Sequence, residues 1–134
     1  MNRQVWNLFA LFVALATQTS ARAEIPPESR EKADFVVTGV VRGVYVRDEK
    51  NYHNYIVELL IDEVEKGKNV EPRDTLYVSC YKRKSTAPQE PSAGGHRAIP
   101  KEDQRIKAYV KDDRGKHNAI YPNWFDEAKP ARKE

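Results

Sequence analysis

Between residues 33 and 47 the chain carries Val36, Val37, Val40, Val41, Val44 and Val46 beside Phe35 and Tyr45, and only Gly39 and Gly43 thin the run. β-Branched and aromatic side chains favour extended backbone, so this stretch predicts a long strand, with the two glycines marking bulges where it bends. A polar turn over residues 47–51 leads to a second apolar run, residues 55–64. If extended, it places Tyr55, Val57, Leu59 and Ile61 on one face. Val57, Leu60, Ile61 and Val64 also fall at helical spacing, with Gly67 beyond as a terminator, so the run reads both ways. The aromatic, β-branched start and the hairpin-like turn before it favour the strand.

Residues 75–81 predict a third strand with Leu76, Val78 and Cys80 on one face. Residues 82–104 hold Pro88, Pro91, Pro100, Ser85, Ser92, Gly94 and Gly95 without apolar periodicity, and read as a long loop. A fourth strand, residues 105–110, turns Ile106, Ala108 and Val110 inward. Asp112-Asp113-Arg114-Gly115 is a hairpin turn, and residues 119–121 are a short fifth strand ended by Pro122. Trp124 and Phe125 are expected to fold back and plug the open end of the core. Residues 24–32 read as a disordered leader, and residues 129–134 as a flexible tail.

A long glycine-bent strand, two more in meander, a long insertion and a closing hairpin follow the order of a five-stranded, OB-like Greek-key barrel, an all-β fold, spanning residues 33–128. Ala33-Asp34-Phe35-Val36-Val37-Thr38-Gly39-Val40-Val41, then Val64-Glu65-Lys66-Gly67, then Asp74-Thr75-Leu76-Tyr77-Val78, resembles the OB-fold of netrin-like and tissue-inhibitor-of-metalloproteinases modules. The resemblance implies the fold alone. Those modules inhibit proteases through a disulfide-tethered N-terminal cysteine, and the single cysteine of this chain is Cys80.

The first 23 residues stand apart from this pattern. Arg3 precedes an apolar run over residues 5–16 broken only by Asn7, and Ala21-Arg22-Ala23 sets small residues where a signal peptidase reads. Spanning a bilayer takes roughly 17 to 25 apolar residues, so a cleaved signal peptide is expected, with the protein secreted or periplasmic and not inserted in the membrane. Cleavage removes Arg3 and Arg22 and no acid, which lowers the formal charge from +3 to +1. The basic balance then names no partner, and the runs at Lys82-Arg83-Lys84 and residues 129–133 read as solvated charge. One cysteine closes no internal disulfide, so stability must come from the apolar core.

No Gly-x-Ser-x-Gly or complete P-loop occurs, Asp112 and Asp113 sit in a turn, and no enzyme activity is expected. The candidate ligand contacts are Tyr52, His53 and Asn54 on the first hairpin, His117 and Asn118 on the last, and His96 and Arg97 in the long loop. An OB-like path brings both hairpins to one rim, where loops on a rigid scaffold concentrate binding. Two imidazoles with Asp112 or Asp113 would suit a metal of the nitrogen and oxygen type, but no spacing motif supports one. Neither metal nor cofactor is expected. The leading expectation is a non-enzymatic binding module for an extracytoplasmic protein or glycan. The alternative is a single-stranded nucleic-acid or polyanion binder using Tyr52, Tyr55, Tyr77, Tyr81 and the basic run, against which export and the near-neutral charge weigh.

Overall fold

In the computed structural model, residues 26–85 and 94–130 are described. The expected signal peptide, residues 86–93 of the loop between the third and fourth strands and the end of the tail lie outside them. The regular structure of the described residues is almost entirely strand: β1 (Phe35–Asp48), β2 (Tyr52–Lys66), β3 (Thr75–Arg83), β4 (Arg105–Asp113), β5 (Lys116–Ala119) and β6 (Phe125–Glu127). The ambiguous second run is a strand, because in extended form Val57, Leu59 and Ile61 all enter the core.

The strands run β1-β2-β3-β5-β4, and β4 pairs back onto β1 to close a five-stranded barrel in OB-like order. Phe35 lies opposite Val110, Val110 opposite Ala119, Asn118 opposite Ser79, Cys80 opposite Tyr55 and Tyr55 opposite Val46. One circuit therefore returns to β1 well along the same strand, the stagger that closing so few strands requires. β1 can serve both neighbours because it is irregular at the expected places: its register with β2 shifts between Thr38 and Gly39 and between Val41 and Gly43.

Inside lie Val37, Val41, Val57, Leu59, Val78, Ile106, Val110 and Ile120, all fully buried, and Cys80 shares the inward face of β3 with Leu76 and Val78. Burial pushes the Cys80 thiol up to about 12, so this cysteine is a packing residue without thiolate character at neutral pH. Arg114 and Gly115 both have positive φ in the β4–β5 turn, the geometry that its glycine suggested.

Several strands run a few residues past their expected ends, and three segments differ in kind or place. The last hairpin strand forms over Lys116–Ala119, ahead of the expected residues 119–121, because β4 runs on to Asp113 and pairs with Lys116. The segment after Trp124 is a sixth strand, which takes the edge of β4 at Ile106 to Ala108 where β5 has left it. Residues 26–32 are not a structureless leader. Ser29 caps a 3-10 turn at Arg30–Lys32, and the Glu28 amide donates to the Tyr121 carbonyl at 2.8 Å. Arg30 forms two hydrogen bonds to Asp126, at 2.7 and 3.0 Å, while lying over the Tyr109 ring. All these partners come from the far end of the chain, so no local pattern announces them.

Candidate functional site

A cavity of about 580 Å³ opens where the β1–β2 hairpin extends past the closed barrel, facing β5. That volume falls in the range of small-ligand sites. Tyr55, Tyr81 and Tyr121 supply aromatic walls, Val46, Cys80 and Ala119 an apolar floor, and Asn54 and Asn118 amide groups. The Tyr81 and Tyr121 rings stack at 6.1 Å between centroids. Three charged residues also line it. Glu28 is neutralised by Lys111 and accepts the Tyr121 amide, and Arg47 pairs with Glu49 at 2.7 Å. Lys116 makes no ion pair among the described residues, so the cavity carries a single uncompensated positive charge.

His96 holds the seam beside this cavity. β3 and β5 meet directly through one parallel pair, Ser79 with Asn118. Just beyond it, the His96 amide donates to the Tyr81 carbonyl at 2.8 Å, and the Tyr81 amide donates to His96 Nδ1 at 3.1 Å. An Nδ1 that accepts leaves the proton on Nε2, which donates to the Ala119 carbonyl of β5 at 3.2 Å. The imidazole thus stands in for missing ladder bonds, with its ring edge-on to Tyr81 at 5.0 Å and Tyr121 at 5.6 Å. Gly95 makes this approach possible, since its φ of 96° is left-handed and a Cβ there would lie 2.6 Å from the Tyr81 carbonyl oxygen.

Burial holds the His96 pKa below its ordinary value near 6.5, because an imidazolium between two backbone strands loses its hydration. The folded state then resists a proton that the unfolded state accepts. Stability conferred by neutral His96 is complete above about pH 6.5 and is lost as pH falls from there towards the lower folded value. We expect denaturant melts between pH 8 and 5 to show this decline, with a slope of up to about 1.4 kcal/mol per pH unit, and His96→Gln to flatten it. Equal slopes in the two proteins would assign the titration to another group.

The expected ligand contacts divide. Asn54 and Asn118, from the two hairpins, do line one cavity, as the shared rim required. Their histidine neighbours do not. His53 hydrogen-bonds Asp48 on its own hairpin, and His117 packs edge-on against Phe35 at 5.2 Å. Tyr52 packs edge-on against Tyr81 at 5.8 Å, and Arg97 is exposed, its amide held by the Pro122 carbonyl. His96, expected in the loop as a ligand contact, does line the cavity, but it is only 5% exposed and gives both ring nitrogens to backbone groups. Among the described residues no cluster of three His, Cys, Asp or Glu side chains is placed to hold a metal. Glu28, Tyr121 and Lys116 were missed. Alternation in β2 signalled Tyr55 beside Val57 and Leu59, whereas Glu28 carried no local signal. Compared with protein-family models, curated proteins and solved structures, the chain finds no match.

Proposed function

We propose that this chain is an exported, non-enzymatic binding module that holds a sugar residue of an extracytoplasmic glycan in the cavity at the barrel mouth. The observation that carries the reading is the convergence of Tyr55, Tyr81 and Tyr121 with the amides of Asn54 and Asn118 on one solvent-open space. A pyranose ring presents apolar C–H faces and a rim of hydroxyls. Tyrosine rings suit the faces, and asparagine, which both donates and accepts, suits the hydroxyls. Lys116 adds a place for an acidic sugar.

The groups that chemistry would need are committed elsewhere. His96 spends both ring nitrogens on backbone, the Cys80 thiol stays protonated, and Glu28 is held by Lys111 and the Tyr121 amide. The polyanion reading is less well served. Tyr77 is exposed and, like Tyr52, does not line the cavity with Tyr55 and Tyr81, so these four rings are not gathered in one site. The likeness to netrin-like modules belongs to the barrel and brings no inhibitory cysteine with it.

Calorimetric titration with neutral and uronic-acid-containing oligosaccharides tests the reading. Asn118→Ala and Tyr121→Ala should each weaken binding about tenfold or more, roughly 1.4 kcal/mol, while His53→Ala with His117→Ala leaves it unchanged. Binding of oligonucleotides in place of sugars, or equal affinity in Asn118→Ala, would sink it.

A further inference from the structure

β1 serves two neighbours over only part of its length. Its pairing with β4 runs from Phe35 to Val40, and Val41 still exchanges bonds with Gln104 and Asp103. From Arg42 to Asp48 one edge of β1 is zipped to β2, and among the described residues nothing pairs with the other. An open edge beside exposed apolar side chains is a template for a further strand, and soluble proteins usually blunt it. Charges stand only at its ends, at Arg42, Arg47 and Asp48, and its centre is apolar: Tyr45 is 55% and Val46 58% exposed, with Ile56 and Tyr77 exposed on the adjoining strands.

The sequence of this edge is complementary to itself. Antiparallel pairing of two copies about a two-fold axis through Tyr45 sets Tyr45 against Tyr45, Val44 against Val46 and Gly43 against Arg47. Directly opposed residues share a sheet face, so both valine pairs meet on the concave side. On the convex side, the incoming Arg47 arrives over Gly43. The space over Gly43 is filled by the Tyr45 ring of the same chain, whose hydroxyl lies 3.4 Å from the Glu58 carboxylate, so the incoming Arg47 lands on that ring. A guanidinium there meets an aromatic ring and a carboxylate that forms no ion pair among the described residues. The same register brings Arg42 opposite Asp48. Like charges face each other nowhere along the edge.

We infer that the protein is a two-fold dimer in which the free Arg42–Asp48 edges of two β1 strands pair antiparallel about Tyr45, joining the two barrels into one continuous sheet. An isologous contact of this kind closes on itself and so does not propagate into fibres. Because Val46 also lines the cavity, each cavity has a wall on the shared ribbon, and the dimer presents two cavities to one partner. The inference rests on the edge alone and stands whether or not the cavity binds sugar.

Sedimentation equilibrium on the full chain, purified as the cell processes it, should give twice the monomer mass in the micromolar range. Arg47→Glu should weaken association at least tenfold by opposing two carboxylates, and so should Glu58→Arg by opposing two guanidinium groups. The double variant Arg47→Glu with Glu58→Arg should regain the dimer. Tyr45→Cys, placed on the axis, should form a disulfide-linked dimer under mild oxidation, while Tyr77→Cys, away from it, should not. A monomer at every concentration up to about 100 μM overturns the inference and leaves the edge to a strand of another protein. A dimer that neither charge reversal weakens, or that Tyr45→Cys fails to cross-link, places the interface elsewhere and overturns it equally.

Discussion

Trp124→Ala should remove about 3 to 5 kcal/mol of stability, the range for deleting a large buried aromatic and leaving its cavity only partly collapsed. Trp124 is 1% exposed and is the largest fully buried side chain of the barrel. Its indole Nε1–H donates to the Ala98 carbonyl at 3.2 Å, its own carbonyl accepts the Tyr109 amide at 2.7 Å, and its ring meets Phe125 edge-on at 5.0 Å. Truncation therefore empties the barrel end and leaves the Ala98 carbonyl without its partner, a further penalty of about 1 kcal/mol or more. A domain of this size is stable by only about 5 to 15 kcal/mol, so the variant should sit near the edge of folding, with a melting temperature on the order of 20 °C lower. Urea melts followed by circular dichroism measure it. Trp124→Phe should fall between, restoring volume but not the hydrogen bond. A loss under about 1 kcal/mol would show that the ring plugs nothing.

The barrel was legible because its signals are local. Alternation placed Ile106, Ala108 and Val110 inward on β4 and Leu76, Val78 and Cys80 inward on β3, and each of these is buried. Gly39 and Gly43 announced bulges in β1 because a valine-rich strand keeps a glycine mainly where backbone needs room. Even the long helix-like spacing of β2 resolved correctly, through its aromatic start. What escaped was determined by partners distant in sequence. Phe125 to Glu127 became a strand because β4 offered an unpaired edge, and residues 28–30 became ordered because Tyr121 and Asp126 offered a carbonyl and a carboxylate.

The candidate site was legible in outline but not in which side chains line it, for the same reason. Topology alone predicted that the first and last hairpins meet, and Asn54 and Asn118 do. Which member of each His-Asn pair faces the cavity depends on strand parity, and the fifth strand was placed a few residues late. His96 failed differently. A glycine-rich loop with a histidine looks exposed, yet Gly95 is there so that the loop can lie against β3, which carries the imidazole into the weak seam between β3 and β5. The most chemically suggestive residue of the loop is thereby the most structural.

Gly39 gives the sharpest test of the claim that glycines in β1 serve close approach. It sits where β1 pairs with Ile61 of β2 on one side and Ile106 of β4 on the other. A Cβ there would lie 2.1 Å from the Leu60 carbonyl oxygen and 3.0 Å from the Ile61 Cα, both backbone atoms that cannot rotate aside. Relief requires moving β2 away from β1 at the point where the barrel closes, so the strain reaches every pair along the ladder. Gly39→Ala should therefore destabilise by about 3 kcal/mol, the upper end of overpacking, even though alanine adds one methyl group. Two controls separate this cause from a general glycine effect. Gly115 has open space but a φ of 88°, so Gly115→Ala should lose only about 1 to 2 kcal/mol through backbone strain. Gly94 has neither constraint, and Gly94→Ala should be neutral or stabilise by up to about 1 kcal/mol by restricting the unfolded chain. Measured by urea denaturation, the order of loss should run Gly39, Gly115, Gly94. A Gly39→Ala protein as stable as wild type would mean that β1 and β2 are not in this register, and with that the placement of Tyr45 on the free edge and of Tyr55 in the cavity would fall together.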